Sequence, residues 1–126
     1  MTEEKARGGR SSPSIRDEAI VLSKCGMGFG PEDLCQILLD KFLSITAEDE
    51  SVPKYLLLYS EGVKLALDDS PVSRILQTLI DRGTKVLLCS TCLDYFQLSE
   101  KPLTGTPSCM SDIMNAMRGV TRVISL

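Results

Sequence analysis

The chain has 126 residues, 43% of them hydrophobic and 25% charged, and a formal net charge of −3. These values predict a single globular domain that builds a core without disulfide staples, and they argue against binding to nucleic acid or anionic lipid. No apolar run approaches the ~20 residues that a membrane-spanning helix requires.

Two absences restrict the chemistry further. The chain has no histidine, which excludes Ser-His-Asp and Cys-His catalysis and any zinc site that needs imidazole. Residues 1–17 lack the apolar segment of a secretory signal, so we expect a cytoplasmic, reducing location. In that setting the five cysteines are expected to be free thiols, ligands or catalysts rather than a disulfide framework.

The chain begins with a segment rich in Gly, Ser, Arg and Glu that shows no hydrophobic periodicity. This composition predicts a disordered tail at residues 1–17 and a single domain at residues 18–126. The domain opens with a predicted buried strand at Glu18–Ser23.

The loop at residues 24–30, KCGMGFG, has glycines at alternate positions, Gly28 and Gly30 among them. Such a loop can cradle an anionic ligand at a helix N-terminus, or it can be a flexible turn between a strand and a helix. The spacing is not a dinucleotide fingerprint and no Gly-Lys-Ser/Thr follows, so the simple turn is favoured.

A helix is predicted from Pro31 to about Ile45. Its expected inward face, at i, i+3, i+4 spacing, consists of Leu34, Ile37, Leu38, Phe42 and Ile45. Leu39 and Leu43 widen the apolar surface, which indicates burial on a second side or a subunit contact. Cys35, inside this helix, is assigned to packing.

The remaining elements continue the alternation of strands and helices. We predict an acidic loop at 46–53, strands at 54–60, 84–88 and 121–126, helices at 70–83 and 108–118, and one optional extended piece at 103–104. The last helix has an apolar stripe assigned to the core: Met110, Ile113, Met114 and Met117. This order predicts an α/β fold, a three-layer α/β/α sandwich with a mostly parallel sheet of four or five strands.

In such a sheet, ligands bind beyond the carboxyl ends of the strands. Three segments should meet at that edge: the loop from Cys25 to Gly30, the turn at Ser60–Lys64, and Cys89–Cys92. The chain order therefore predicts a single site.

The CxxC pair at that edge is the strongest chemical signal in the chain. Thr91 is the expected N-cap of a short helix, with Asp94 three residues later. Cys92 then lies in the first turn, where partial positive charge favours a thiolate. Cys89 ends an apolar run and is expected to be buried.

A CxxC pair can be a dithiol redox pair, half of a zinc site, or a nucleophile with a companion. A zinc site would need Cys25 and Cys109 as further ligands, and neither has a paired spacing, so we predict no metal. The chain order does not match the thioredoxin arrangement either.

Several stretches resemble the DsrE/DsrF-like family, above all the C-terminal domain of the YedF-type, sulfurtransferase-like proteins of selenium metabolism. The similarity extends over about residues 18–126, and the CxxC segment is its most specific part. The matching segments are Gly28-x-Gly30-Pro31-Glu32-Asp33-Leu34, Ser60-Glu61-Gly62-Val63-Lys64-Leu65, Cys89-Ser90-Thr91-Cys92-Leu93-Asp94-Tyr95, Cys109-Met110-Ser111-Asp112-Ile113 and Arg122-Val123-Ile124-Ser125-Leu126.

The resemblance implies an α/β/α sandwich assembled as a homo-oligomer, a trimer or hexamer, in which some relatives carry sulfur as a cysteine persulfide. It puts the carrier at Cys92, with Cys89 beside it, and Lys64 would steady a thiolate or persulfide by its charge. The other motif residues expected at the site are Gly28, Gly30, Gly62, Ser90 and Thr91. No cofactor is implied, and a small sulfur-carrier protein is a candidate partner.

Two functions remain open. In the first, Cys92 carries sulfur or selenium as a persulfide, and Cys25 or Cys109 is a candidate resolving thiol, although the interpretation of both as spare thiols is favoured. In the second, the fold is a non-catalytic oligomeric module that binds a small anion or a partner protein. A lowered pKa of Cys92 would favour the carrier. The chain departs from the family at Ser60-Glu61, where the family has Asn-Ser.

Overall fold

Five strands and four helices alternate along residues 14–126, the part of the chain that the computed structural model describes. They are β1 (Ser14–Leu22), α1 (Glu32–Glu48), β2 (Ser51–Leu58), a 3-10 turn (Ser60–Ala66), α2 (Ser73–Asp81), β3 (Lys85–Cys89), α3 (Ser90–Tyr95), β4 (Thr106–Ser108), α4 (Met110–Arg118) and β5 (Arg122–Ser125).

The strands form one sheet in the order β4-β3-β2-β1-β5, and every pair is parallel. Because parallel crossovers are right-handed, the steps from β1 to β2 and from β2 to β3 put α1 and α2 on one face. The return from β4 to β5 runs in the opposite direction and puts α4 on the other face. The predicted α/β class with a parallel sheet is confirmed, with five strands.

The core lies between the sheet and its helices. It is built mainly from continuous apolar runs in the three inner strands, as expected for strands covered on both faces. Its largest fully buried side chains are Ile20, Leu22, Leu39, Leu43, Leu56, Leu57, Leu58, Leu76, Leu79, Leu88, Leu93 and Ile113.

The first strand starts earlier than the predicted Glu18. β1 begins at Ser14, which pairs with Ser51 of β2. The Arg16 guanidinium donates to the backbone carbonyl of Ser51 at 2.7 Å, so the side chain reinforces this early pairing. Residues 14–17 therefore belong to the sheet, while the rest of the predicted tail, residues 1–13, lies outside the described part.

The acidic loop predicted at 46–53 is shorter than expected, because α1 continues to Glu48 and β2 already begins at Ser51. The end of α1 has no basic residue of its own in the last turn. Instead the Arg82 guanidinium donates to the carbonyls of Ala47, Asp49 and Glu50, at 2.8, 2.6 and 3.0 Å. A cation from a distant element thus stabilises the helix C-terminus.

The inward face predicted for α1 is wrong. Its buried residues are Leu39, Leu43, Thr46 and Ala47, whereas the predicted positions are largely exposed, namely Leu34 (47%), Ile37 (51%), Leu38 (40%) and Ile45 (68%). Only Phe42 of the predicted set is partly buried against the core. Apolar residues lie around most of this helix, so periodicity alone did not identify the side that meets the sheet.

Two further predictions near the C-terminus need correction. The optional strand predicted at 103–104 is instead β4, at Thr106–Ser108. Leu103 forms only an isolated antiparallel bridge with Leu67. The methionine stripe is half exposed, with Met110 at 44% and Met114 at 38%, since Ile113 and Ala116 carry the inward face of α4.

Candidate functional site

The carboxyl ends of the inner strands are aligned, because Leu22 pairs with Leu58 and Leu58 pairs with Leu88. The three segments that follow these strands consequently leave the sheet side by side. Two sulfur contacts join them: the Ser60 N–H donates to Cys92 Sγ at 3.1 Å, and the Cys25 thiol donates to the Glu61 carbonyl at 3.5 Å. The structure thus brings together the three segments expected to meet.

Helix α3 starts directly at the end of β3, without an intervening loop. Its N-cap is Cys89, not the predicted Thr91, and no side chain caps it. The expected partner, Asp94, instead accepts a hydrogen bond from the Ser99 hydroxyl. Cys92 is the third helical residue and lies in the first turn as predicted, while Cys89 is 1% exposed and its predicted burial is confirmed.

The sulfur of Cys92 is partly exposed at the edge of the sheet, and its backbone donor comes from a strained residue. Ser60 has a φ of +54°, in the left-handed region that non-glycine residues seldom adopt. The hydrogen bond to Cys92 Sγ is thus donated from the first residue of the 3-10 turn, where the backbone leaves the extended conformation of β2. Strain of this kind often accompanies a functional site.

The pKa of Cys92 lies above its ordinary value of 9.0. Burial is the largest cause, followed by the neighbouring Cys89 thiol, and the Ser60 N–H acts in the opposite direction. The expectation of a lowered pKa is therefore wrong. The single short turn of α3 does not outweigh the loss of water around the sulfur.

Lys64 is not among the groups that act on Cys92, so its predicted role there has no support in the structure. Lys64 Nζ forms an ion pair with Glu61 at 2.8 Å and lies 4.4 Å from the centre of the Phe96 ring. Its charge acts on Cys25, whose pKa is nevertheless raised, first by burial and then by the Glu61 carboxylate. The hydrogen bond with Glu61 raises the pKa of Lys64.

The position of the 3-10 turn depends on Gly62. A Cβ there would collide with the carbonyl of Leu22, the last residue of β1. The same carbonyl accepts a hydrogen bond from the Tyr59 N–H at 3.2 Å. Gly62 therefore acts on the site indirectly. It lets the 3-10 turn lie close to β1, and the same turn contains Ser60, whose N–H contacts Cys92.

The two other predicted glycines have a conformational explanation. Gly28 and Gly30 have φ values of +80° and +146°, and nothing lies within 4 Å of a Cβ at either position. They shape the exposed tip of the loop, as in the simple-turn interpretation. Cys35 packs beneath this loop against Gly26, and its Sγ lies 3.6 Å from the Gly28 carbonyl oxygen.

The remaining predicted residues lie along the same edge. Ser90 and Thr91 are the first two residues of α3, and Cys109 is the exposed N-cap of α4. Cys109 follows Ser108, which pairs with Cys89, so β4 brings it to the neighbouring position on the edge. Within residues 14–126, no group of three or more Cys, Asp or Glu side chains forms a metal-binding cluster.

Beside Cys25 and Lys64 lies a groove of about 520 Å³ between α1 and the segment before α2. Its walls are mostly apolar, with Ile37, Leu65 and Val72 among them, and acidic groups stand at its rim. No sequence pattern predicted this groove, because its walls come from segments that are distant along the chain.

No protein-family model matches the chain, and no curated protein matches it. Solved structures do match. YchN from Escherichia coli superposes with a TM-score of 0.64 at 19% identity, covering 90% of this chain and 99% of that one. MTH1491 from Methanobacterium thermoautotrophicum, a protein of unknown function, gives 0.62 at 18% identity with the same coverage.

A third structure, BT1422 from Bacteroides thetaiotaomicron, also of unknown function, gives a TM-score of 0.60 at 16% identity, over 87% of this chain and 95% of that one. The chain has the DsrE-like fold. At these identities the DsrE-like architecture is what the similarity establishes. Among residues 14–126, no helix is long and apolar enough to cross a membrane.

Proposed function

We propose that this DsrE-like protein is a sulfur carrier of the YedF type, in which Cys92 holds the transferred sulfur, or its selenium analogue, as a persulfide. The observation that carries the proposal is the position of the Cys92 sulfur. It is partly exposed in the first turn of α3, at the carboxyl edge of the sheet, and accepts a hydrogen bond from the Ser60 N–H. Ligands of parallel sheets bind at this edge.

Loading consists of one thiol exchange. The Cys92 thiolate attacks the outer sulfur of a donor persulfide, R–S–SH. The new Cys92 S–S bond forms as the donor S–S bond breaks, and the leaving R–S⁻ takes up the proton that Cys92 lost, giving R–SH. Delivery to an acceptor thiol reverses the same step. The Ser60 N–H stabilises the negative charge on Cys92 Sγ in both directions.

The raised pKa of Cys92 does not favour the carrier by the criterion stated above, so the proposal rests on the position of the sulfur at the edge where ligands bind. Little thiolate exists near neutral pH, which limits indiscriminate exchange and oxidation. A small sulfur-carrier protein is the proposed transfer partner. The chemistry needs free thiols, so we assign the protein to the reducing cytoplasm.

The test is intact-mass measurement after incubation of the reduced protein with a sulfane-sulfur donor. We expect the wild type to gain one sulfur atom that a dithiol reductant removes. Cys92→Ser should gain none, while Cys109→Ser, at the neighbouring exposed thiol, should load like the wild type. Equal loading of Cys92→Ser would contradict the carrier.

A second candidate is a non-catalytic assembly module, and one observation favours it. The outer face of α1 exposes Leu34, Ile37, Leu38 and Ile45, which recur at helical spacing around the exposed Lys41. Lys41 thus lies within this apolar stripe, and Asp40 lies at its side with the opposite charge. A second copy of the chain, packed antiparallel across a two-fold axis, can bury the stripe and pair those charges.

A further inference from the structure

We propose that Cys89 discharges a persulfide held on Cys92, so that sulfur not claimed by an acceptor leaves as hydrogen sulfide and the protein closes a Cys89–Cys92 disulfide. The inference rests on the proposed carrier function. It adds a second activity, the release of sulfide. It also ends the carrier cycle, because a Cys89–Cys92 disulfide leaves no free thiol at Cys92 to load.

Cys89 and Cys92 lie at the two ends of the first turn of α3. Cys89 is the N-cap and Cys92 the third helical residue, the two positions whose side chains meet in a capping box. Helix geometry separates the Cα atoms of such a pair by about 5 Å, inside the range that disulfides span. The Cys89 thiol is also among the groups that raise the pKa of Cys92, as expected of neighbouring thiols.

The step balances without an external oxidant. The Cys89 sulfur attacks Cys92 Sγ, the inner sulfur of the persulfide; the Cys89–Cys92 bond forms as the inner-to-outer S–S bond breaks. The Cys89 proton passes to the leaving hydrosulfide, giving H₂S. The persulfide itself supplies the oxidising equivalent. A dithiol reductant then returns the disulfide to two thiols.

Burial decides which sulfur is attacked. Cys89 is 1% exposed and closes the end of β3 inside the core. Moving the outer sulfur onto Cys89 would require room for an additional atom in that packed interior. Attack on the inner sulfur needs no such room, because the outer sulfur leaves toward solvent from the partly exposed Cys92.

The other candidate resolving thiols are less well placed. Cys25 donates to the Glu61 carbonyl, while Cys92 accepts from the Ser60 amide. The two thiols therefore contact the 3-10 turn at different residues. Cys109 is exposed at the start of α4. Neither appears among the groups that act on the Cys92 sulfur.

The experiment loads the reduced full chain with sodium disulfide, desalts it under nitrogen, and follows intact mass and free sulfide over time. In the wild type, the species with one extra sulfur should convert to one lighter than the reduced protein by two hydrogens, with one sulfide released per chain. In Cys89→Ala the extra sulfur should persist at least about tenfold longer, because the intramolecular attack is lost. Cys89→Ser serves as a second variant should the smaller side chain impair folding.

Cys25→Ser and Cys109→Ser are matched controls and should decay like the wild type. Equal decay of wild type and Cys89→Ala, or decay that stops in Cys25→Ser, overturns the inference but leaves the carrier intact. A wild type that never gains sulfur overturns the carrier function as well. Oxidation of the unloaded protein with diamide is a separate check, in which failure to join Cys89 to Cys92 also overturns the inference.

Discussion

Ser60 shows how one residue connects backbone conformation to the chemistry of a site. Its φ of +54° costs conformational free energy, and the surrounding contacts maintain it. The family resembled in sequence has Asn there, a residue that tolerates the left-handed region better than Ser. The position was therefore visible in the sequence as a departure. The hydrogen bond from the Ser60 N–H to Cys92 was not visible in the sequence.

The reactivity of Cys92 is the prediction that belongs to this scale. Because burial and the Cys89 thiol raise its pKa above 9.0, iodoacetamide should label Cys92 slowly at neutral pH, with a rate that still rises above pH 9. Cys89→Ala should move the profile to lower pH, since one of the causes is removed. Residue-resolved mass spectrometry after timed labelling measures both profiles.

The sign for stability follows from the same shift. The folded state favours the protonated thiol, so the contribution of Cys92 to stability is complete below the unfolded-state pKa and is lost as pH rises through the folded one. A labelling rate that reaches its plateau below about pH 8 would show a lowered pKa and contradict this assignment.

Among the elements, α3 is short because a left-handed residue, Gln97, ends it after six residues. Gln97 has a φ of +59°, the Leu98 N–H donates to the Leu93 carbonyl, and the Gln97 N–H donates to the Asp94 carbonyl. This is a Schellman ending with a non-glycine residue in the left-handed position. Leu98, buried after the turn, fixes α3 against the core and so helps to hold Cys92 in place.

The end of α1 gives the prediction at the scale of elements. Arg82→Met removes a guanidinium that donates to three backbone carbonyls, and we expect it to lower the free energy of unfolding by about 2 kcal/mol. Urea unfolding followed by circular dichroism measures the change.

Arg74→Met is the matched control. Arg74 is an exposed arginine of α2, the helix that ends at Asp81, just before Arg82. It should change the free energy of unfolding by less than about 0.5 kcal/mol. Equal effects of the two substitutions would mean that the contacts of Arg82 with the end of α1 contribute nothing to stability.

At the scale of the whole molecule, the exposed stripe on α1 leads to a prediction about assembly. In sedimentation velocity the wild type should form a homo-oligomer, and Ile37→Lys should dissociate it, because a charge would then be buried in an apolar contact. Met114→Lys, on the opposite face of the sheet, should leave the assembly unchanged. A wild type that remains monomeric at high micromolar concentration contradicts this use of α1.

The molecule as a whole also explains why the cysteines lie where they do. All five are free, and each belongs to a segment at or just beyond the carboxyl end of a strand, or to the helix beneath the loop that follows β1. Parallel strands put these segments on one edge irrespective of their distance along the chain. The shared edge could be expected from the order of elements, whereas the contacts between individual sulfurs could not.

The order of strands and helices, the parallel sheet and the meeting of three segments at one edge all follow from the sequence, because local hydrophobic runs and chain order specify them. Which side of α1 is buried, which carbonyls Arg82 caps, and whether Cys92 is acidic were decided only by the tertiary structure. Each depends on atoms far apart in the chain: the sheet surface under Leu39 and Leu43, the end of α1 beside Arg82, and the buried Cys89 thiol against Cys92. A position at the start of a helix favours a thiolate. The desolvation that raises the pKa of Cys92 arises only after the surrounding elements have packed around the sulfur.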